Sequence, residues 1–300
     1  MGSDPLASAK MHFVPGGDIA LGLQSLNVAA ERGNGEAIAL LAHFLASGVS
    51  GRPDWDRSVQ MLAAAAAAGW ADAARELRVL TFGANRGPTN QLDIRSLVTP
   101  RATEVLSQAP RIQACRSFFS REECDWLIER GGSRLERAGV YDRNAATKRV
   151  VSARNNSAAQ FSPFEIDTVL VFLTARIGHT VGLPTTFFEP TSILHYNVGE
   201  QFETHYDFLD PAEPGMAADL RSRGQRVATI LVYLNDDYEG GETYFPQSDI
   251  RFKGRRGDAL FFANVEADGK PDLQTLHAGL PPTSGEKWLL SQWVRDRPLG

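Results

Sequence analysis

The stretch LHYNVGEQFETHYDF (residues 194–208) sets His205 and Asp207 two positions apart. On a β-strand, residues i and i+2 leave from the same face, so both side chains can reach one metal ion. A third ligand has to come from elsewhere, and His277 in LQTLHAG (residues 273–279) is the strongest candidate. Two histidines and one carboxylate on one face of iron(II) leave the remaining positions open for oxygen and a co-substrate. The same ligands also suit the zinc of a hydrolase. A histidine and an aspartate two apart can also simply pair on a surface.

Beyond residue 145 the chain consists of short β-rich runs, TSILHYNV, RVATILVYL, DALFFANV and KWLLSQWV, separated by Gly, Pro and Asp clusters. That texture predicts a β-sandwich or jelly roll flanked by helices. The last run begins ten residues after His277, and its alternation puts Leu289, Ser291 and Trp293 on the same face as Lys287. A lysine on an apolar strand face calls for an anionic partner. Burying an ammonium alone is costly, whereas a ligand carboxylate would neutralise it and be oriented by it. The alternative is that Lys287 snorkels from the strand's first position into water.

Upstream, the chain repeats itself. AAERGNGEAIALLAHF (residues 29–44) lines up with AAAAGWADAARELRVL (residues 65–80) at an offset of 36, a period that points to a helical array. In each unit an alanine-containing stretch ends at a glycine, Gly33 or Gly69, before a new apolar-periodic stretch, which reads as helix, C-cap, helix. Pro53 and Asp54 open a further helix through Trp55 and Met61. Residues 17–83 resemble Sel1-like repeats, relatives of the tetratricopeptide repeats; such an array serves either as a structural cap or as a surface for a peptide or partner. Residues 84–110 are expected to be a linker with one short helix near 92–97, and the second domain is expected to span 111–300. Ser120 with Glu123 three positions on makes a capping box there.

A chain of 300 residues, 43% hydrophobic, has enough apolar mass for one large domain or two smaller ones. No apolar run approaches the roughly 18 residues of a membrane span, and the start lacks a secretory pattern, so a soluble, cytoplasmic protein is expected. The net charge of -5 argues against a nucleic-acid partner. Cys115 and Cys124 form no C-x-x-C pair and read as ordinary buried residues, as His12, His43, His179 and His195 read as surface or satisfied core residues.

Taken together, LHYNVGEQFETHYDF, GQRVATILVYLNDDYEGGETYFP, FKGRRGDALFFANV and LHAGLPPTSGEKWLLSQWV resemble, in order and spacing, the catalytic domain of the prolyl 4-hydroxylases. The resemblance covers about residues 111–297 and is densest over 193–297. It implies a double-stranded β-helix, or jelly roll, so that the whole chain is α+β with a small all-α repeat domain in front. It further implies an iron site of His205, Asp207 and His277, with Lys287 on the distal carboxylate of 2-oxoglutarate and Tyr196 and Thr243 hydrogen-bonding that co-substrate. The implied reaction is hydroxylation with iron(II), 2-oxoglutarate, O2 and ascorbate. Arg226, Trp293, Phe202 and Arg154 match positions that face the substrate.

Two departures bear on that substrate. Phe202 stands where relatives often carry a tyrosine, and Arg154 is followed by Asn155, Asn156, Ser157 and Ala158 where the family usually has Thr-Ser-Ser-Gly. A prolyl residue of a peptide or protein is the first expectation and a free amino acid or small metabolite the second. A catalytically dead helical-repeat interaction protein is a third reading, which the intact triad and Lys287 disfavour. A zinc hydrolase leaves Lys287 and Thr243 without a role. A long channel between residues 140–165 and 210–224 would suit a peptide, and a closed pocket a metabolite.

Overall fold

The computed structural model describes residues 4–14, 16–83, 92–138, 140–141, 148–149 and 154–299. It is α+β and divides into two compact units, Met1–Thr99 with Phe161–Arg176, and Pro100–Gln160 with Ile177–Gly300.

In the first unit the helices Ile19–Glu31, Gly35–Ser47, Trp55–Ala67 and Ala71–Gly83 are each 13 residues long. The first and third start 36 residues apart, as do the second and fourth. The local chemistry repeats with this spacing. Asp18 and Asn34 cap the first pair, and Asp54 caps the third helix. Gly33 and Gly69 take positive φ, and the following amide reaches back five residues, Asn34 to Ala29 and Trp70 to Ala65. Leu26, Ala29, Ala37, Leu41 and Phe44 form the core between helices.

The segment 161–176 corrects the expected domain boundary. Phe164 packs into the helical core, Phe172 meets Trp55 edge-on at 5.6 Å, and the amide of Thr168 donates to the buried Glu76 carboxylate, which also binds His43. Nothing local in the sequence shows this, because the partners lie 92 or more positions away. Removing residues 1–99 would strip these side chains of their neighbours. The shortened chain is expected to bind a hydrophobic dye and to melt below the full chain; an unchanged melt would contradict this packing.

The expected linker also needs revision. Residues 84–91 lie outside the described residues, a helix spans Ile94–Val98, and from Glu104 the chain is already sheet: Glu104–Gln108 pairs with Arg111–Cys115. Gly, Pro and Thr in this stretch mark turns between elements rather than one long loop.

The second unit is a sandwich of eight core strands: β1 (Ser192–Tyr196), β2 (Phe202–His205), β3 (Arg226–Tyr233), β4 (Thr243–Phe245), β5 (Ile250–Phe252), β6 (Ala259–Ala263), β7 (His277–Gly279) and β8 (Lys287–Arg295). One sheet has the order β6-β3-β8-β1, extended at its ends by Glu104–Gln108, Arg111–Cys115, Ser157–Gln160 and Glu136–Arg137. The other has the order β5-β4-β7-β2. The chain crosses repeatedly between the sheets, which is jelly-roll connectivity. Tyr196, Leu231, Tyr233, Leu260, Phe262 and Leu289 of the first sheet meet Phe245 and Phe252 of the second in the core. Helix Arg121–Gly132, closed by the capping box of Ser120 and Glu123, approaches β1 so closely that a Cβ on Gly131 would lie 2.7 Å from Ile193. Gly257, at φ +84, turns the chain into β6 where a Cβ would sit 2.1 Å from the Phe119 carbonyl oxygen, so only glycine fits. Cys115 and Cys124 are both buried, and burial pushes the Cys124 thiol up to about 12. Among the described residues no helix is long and apolar enough to cross a membrane.

Candidate active site

The register of the second sheet places His277 of β7 directly opposite His205 of β2. Asp207 lies two residues past His205, beyond the end of the strand, and its bend carries the carboxylate back between the rings. Asp207 Oδ1 is 3.5 Å from His205 Nε2 and Oδ2 is 3.6 Å from His277 Nε2. The three ligand atoms lie within 4.8 Å of one another. Each imidazole is fixed from behind: Nδ1 of His205 donates to the Glu203 carbonyl at 2.8 Å and Nδ1 of His277 to that of Thr275 at 2.9 Å. With the proton held on Nδ1, the Nε2 lone pairs converge on one point, as a metal requires.

Asp207 is almost fully buried. Burial alone would raise its carboxyl, but the neighbouring His277, His205 and Arg226 outweigh it and hold the group well below the usual carboxylate range. Its Oδ2 also accepts from Thr229 Oγ1 at 2.7 Å, and Thr229 is oriented by Asn264 Nδ2 at 2.9 Å. His277 is held down to about 4, first by burial and then by the neighbouring His205, so it is neutral at pH 7 and ready to ligate.

Lys287 opens β8 opposite Tyr196 of β1, and it does not snorkel. It is 0% exposed, and its Nζ has no hydrogen-bond partner among the described residues. Aromatic faces surround it, with Nζ 5.1 Å from the Tyr196 ring and 5.5 Å from that of Tyr233. Burial pushes its ammonium down to about 7, with Glu242 opposing only in part. The same cleft is lined by Tyr196, Thr243, Leu289, Ser291, Trp293 and the triad. Thr243 shares a 2.7 Å bond with the Tyr233 hydroxyl, which also donates to the Phe252 carbonyl at 2.9 Å. A metal triad and an unpaired buried ammonium in one cleft fit a dicarboxylate with one end near the metal and the other on the lysine.

Residues 191–295 match the model of the 2OG-Fe(II) oxygenase superfamily. The chain is 32% identical over 211 residues to probable prolyl 4-hydroxylase 9 of Arabidopsis thaliana, covering 65% of this chain and 72% of that one. The chain belongs to the prolyl 4-hydroxylase family. It is also 31% identical over 213 residues to the prolyl 4-hydroxylase subunit alpha-1 of Rattus norvegicus, covering 71% of this chain but 38% of the subunit. Among solved structures, a viral collagen prolyl hydroxylase from Paramecium Bursaria Chlorella virus-1 in complex with 2OG aligns with a TM-score of 0.47 at 28% identity, covering 61% of this chain and 95% of that chain. The protein is thus a 2-oxoglutarate-dependent dioxygenase, and its family works with iron(II), 2-oxoglutarate and O2.

The four residues assigned to the substrate side are all brought to the cleft or its wall. Arg154, Phe202 and Trp293 line it. The Phe202 ring stacks on His205 with centroids 3.5 Å apart, and the Arg154 guanidinium lies 4.5 Å from the Phe202 ring. Arg226 lies 3.6 Å over the Trp293 ring and donates to the backbone oxygen of Asp207 at 3.4 Å. Most of residues 140–153, expected to flank a peptide channel, lie outside the described residues.

Glu189 went unnoticed in the sequence. It binds Arg226 through both oxygens, at 2.6 and 3.0 Å, and Arg295 at 2.6 Å; Arg295 also binds Asp219 at 2.7 Å. Burial would raise the Glu189 carboxyl, but the two arginines hold it below its ordinary value. No local signal marks an acid in FFEPTS as a hub, because its partners lie 37 and 106 residues away. Glu189→Gln is expected to destabilise the protein by about 3 kcal/mol, since it leaves two buried guanidinium groups short of charge. Urea unfolding would show this, and a change within error would mean that water or Asp219 already neutralises them.

Proposed function

We propose that the protein hydroxylates a prolyl residue of a peptide or protein, with iron held by His205, Asp207 and His277 and 2-oxoglutarate anchored on Lys287. The observation that carries this reading is the buried Lys287 Nζ, without a hydrogen-bond partner among the described residues, in the cleft of the triad. When bound, iron supplies the oxygen activation that couples release of succinate and carbon dioxide to insertion of oxygen into a C–H bond. The protein's own contributions are positional. The carbonyls of Glu203 and Thr275 fix both imidazoles, and Thr229 and Asn264 fix the carboxylate. Tyr196 and Thr243 stand beside Lys287 for the co-substrate, while Leu231 and Leu289 keep that end of the cleft apolar. Arg226, Trp293, Phe202 and Arg154 make up the substrate side.

The helical pairs of residues 17–83 are read as Sel1-like repeats acting as a cap. Their 36-residue recurrence supports the repeat, and two helical pairs, the number among the described residues, favour the cap over an independent binding array. The test of function is mass spectrometry of proline-containing peptides and free amino acids incubated with the protein, iron(II), ascorbate and 2-oxoglutarate. A single added oxygen on a peptidyl proline is expected. Oxygen found only on free amino acids would replace the peptide reading with the metabolite one.

A further inference from the structure

We infer that the substrate presents a carboxylate to Arg154. The inference rests on the hydroxylase reading above and names the chemistry of the group that docks beside the reacting carbon.

Arg154 is 8% exposed and lines the cleft that holds the triad. Its Nε donates to Asn156 Oδ1 at 2.9 Å. No carboxylate forms an ion pair with it among the described residues, and its two terminal nitrogens donate no hydrogen bond there. A guanidinium in such a place is costly unless something anionic meets it, and its planar fork matches a carboxylate.

The charges nearby are otherwise matched. Arg226 and Arg295 are taken by Glu189 and Asp219. Asp207 lies between His205 and His277 as the anion of the triad, and on the reading above the two carboxylates of 2-oxoglutarate would go to the metal and to Lys287. Among the described residues Arg154 is the cation of the cleft that has neither a carboxylate nor an assigned co-substrate group, and an anion carried by the substrate would balance it.

The arginine is also preset. Its backbone bridges to Phe202, the Asn155 amide donates to the Gln201 carbonyl at 3.2 Å, and the Gln201 amide donates to Asn155 Oδ1 at 2.6 Å. Asn156 is fully buried, its Nδ2 donates to the Ser157 carbonyl at 2.8 Å, and its own carbonyl accepts from Ala138. Asn155 and Asn156, the departure from the family motif, are therefore positioning residues that fasten this wall and aim the guanidinium.

The carboxylate has three sources: an acidic residue next to the target, the C-terminus of a peptide, or the α-carboxylate of a free amino acid. The full chain with iron(II) and 2-oxoglutarate would be given four substrates. These are a proline peptide with an acidic neighbour, a neutral proline peptide with a free C-terminus, free proline, and the neutral peptide amidated. At least one carboxylate-bearing substrate is expected to exceed the amidated peptide by about tenfold or more in kcat/KM, the size of a charge-assisted hydrogen bond. Arg154→Gln should erase that preference and raise KM for the substrate more than KM for 2-oxoglutarate. Arg154→Lys should restore part of it, and Asn156→Ala should weaken it with Arg154 still present.

Equal use of the amidated peptide overturns the inference and leaves the hydroxylase reading standing. A raised 2-oxoglutarate requirement in Arg154→Gln with the substrate preference intact also overturns it, by giving the arginine to the co-substrate. A carboxylate preference with oxygen added at a residue other than proline supports the inference and overturns the prolyl reading. Turnover of 2-oxoglutarate with none of the four hydroxylated overturns both.

Discussion

Asp207→Ala is expected to lower succinate formation by at least about a hundredfold, a larger effect than the 10–100-fold loss that follows from disturbing residues behind a metal ligand. The carboxylate is the only anionic member of the triad, and its two oxygens face the two Nε2 atoms. Removing it leaves two imidazoles alone to hold a cation and leaves the Thr229 hydroxyl without its acceptor. Asp207→Asn separates these effects, because the amide oxygen can still accept from Thr229 while the charge is gone. Iron retention after desalting should fall in both variants. Near wild-type turnover at limiting iron in either would show that Asp207 is not a ligand.

Lys287→Ala is expected to raise the 2-oxoglutarate requirement by about tenfold to a hundredfold, the value of a charge-assisted bond in a dry site, and to affect the requirement for the prime substrate far less. The pH dependence follows from the same group. In the free protein its ammonium is held at about 7 by burial, and a bound carboxylate returns it towards the ordinary lysine range. Above pH 7, binding therefore takes up a proton, and affinity for 2-oxoglutarate should weaken by about tenfold per pH unit. Lys287→Ala should flatten that profile. Stability runs the other way: because the folded value lies below that of the unfolded chain, the cost of burying this charge is complete below pH 7 and fades as pH rises towards about 10.4. Titration calorimetry across pH 6.5–9 reads the binding. A flat wild-type profile would mean that the lysine is not the anion's partner.

Much of this site is legible in sequence because strands have period two. The alternation from Lys287 through Leu289 and Ser291 to Trp293 lines one cleft as the spacing requires, and His195, the next residue along from Tyr196, turns away to bind Glu286. Asp207 is a partial exception: it stands beyond the strand end, so strand geometry gave the right face without fixing the path of the chain. The supports of the site were not legible. Thr229 is an ordinary strand residue and Asn264 an ordinary bend residue just past β6 until the fold brings them to Asp207, and Tyr233 looks like any core tyrosine until its hydroxyl meets Thr243. The 36-residue period foretold the helices, but not that residues 161–176 complete their core, since periodicity shows that a face is apolar and not what covers it.

The most direct test of the central claim is to incubate the wild-type chain with iron(II) and 2-oxoglutarate under isotopically heavy dioxygen and to weigh the succinate released. If His205, Asp207, His277 and Lys287 form an iron and 2-oxoglutarate oxygenase site, the succinate carries one heavy oxygen atom, and His277→Ala yields none above background. Succinate without the label, or labelled succinate formed equally well by His277→Ala, would contradict the assignment.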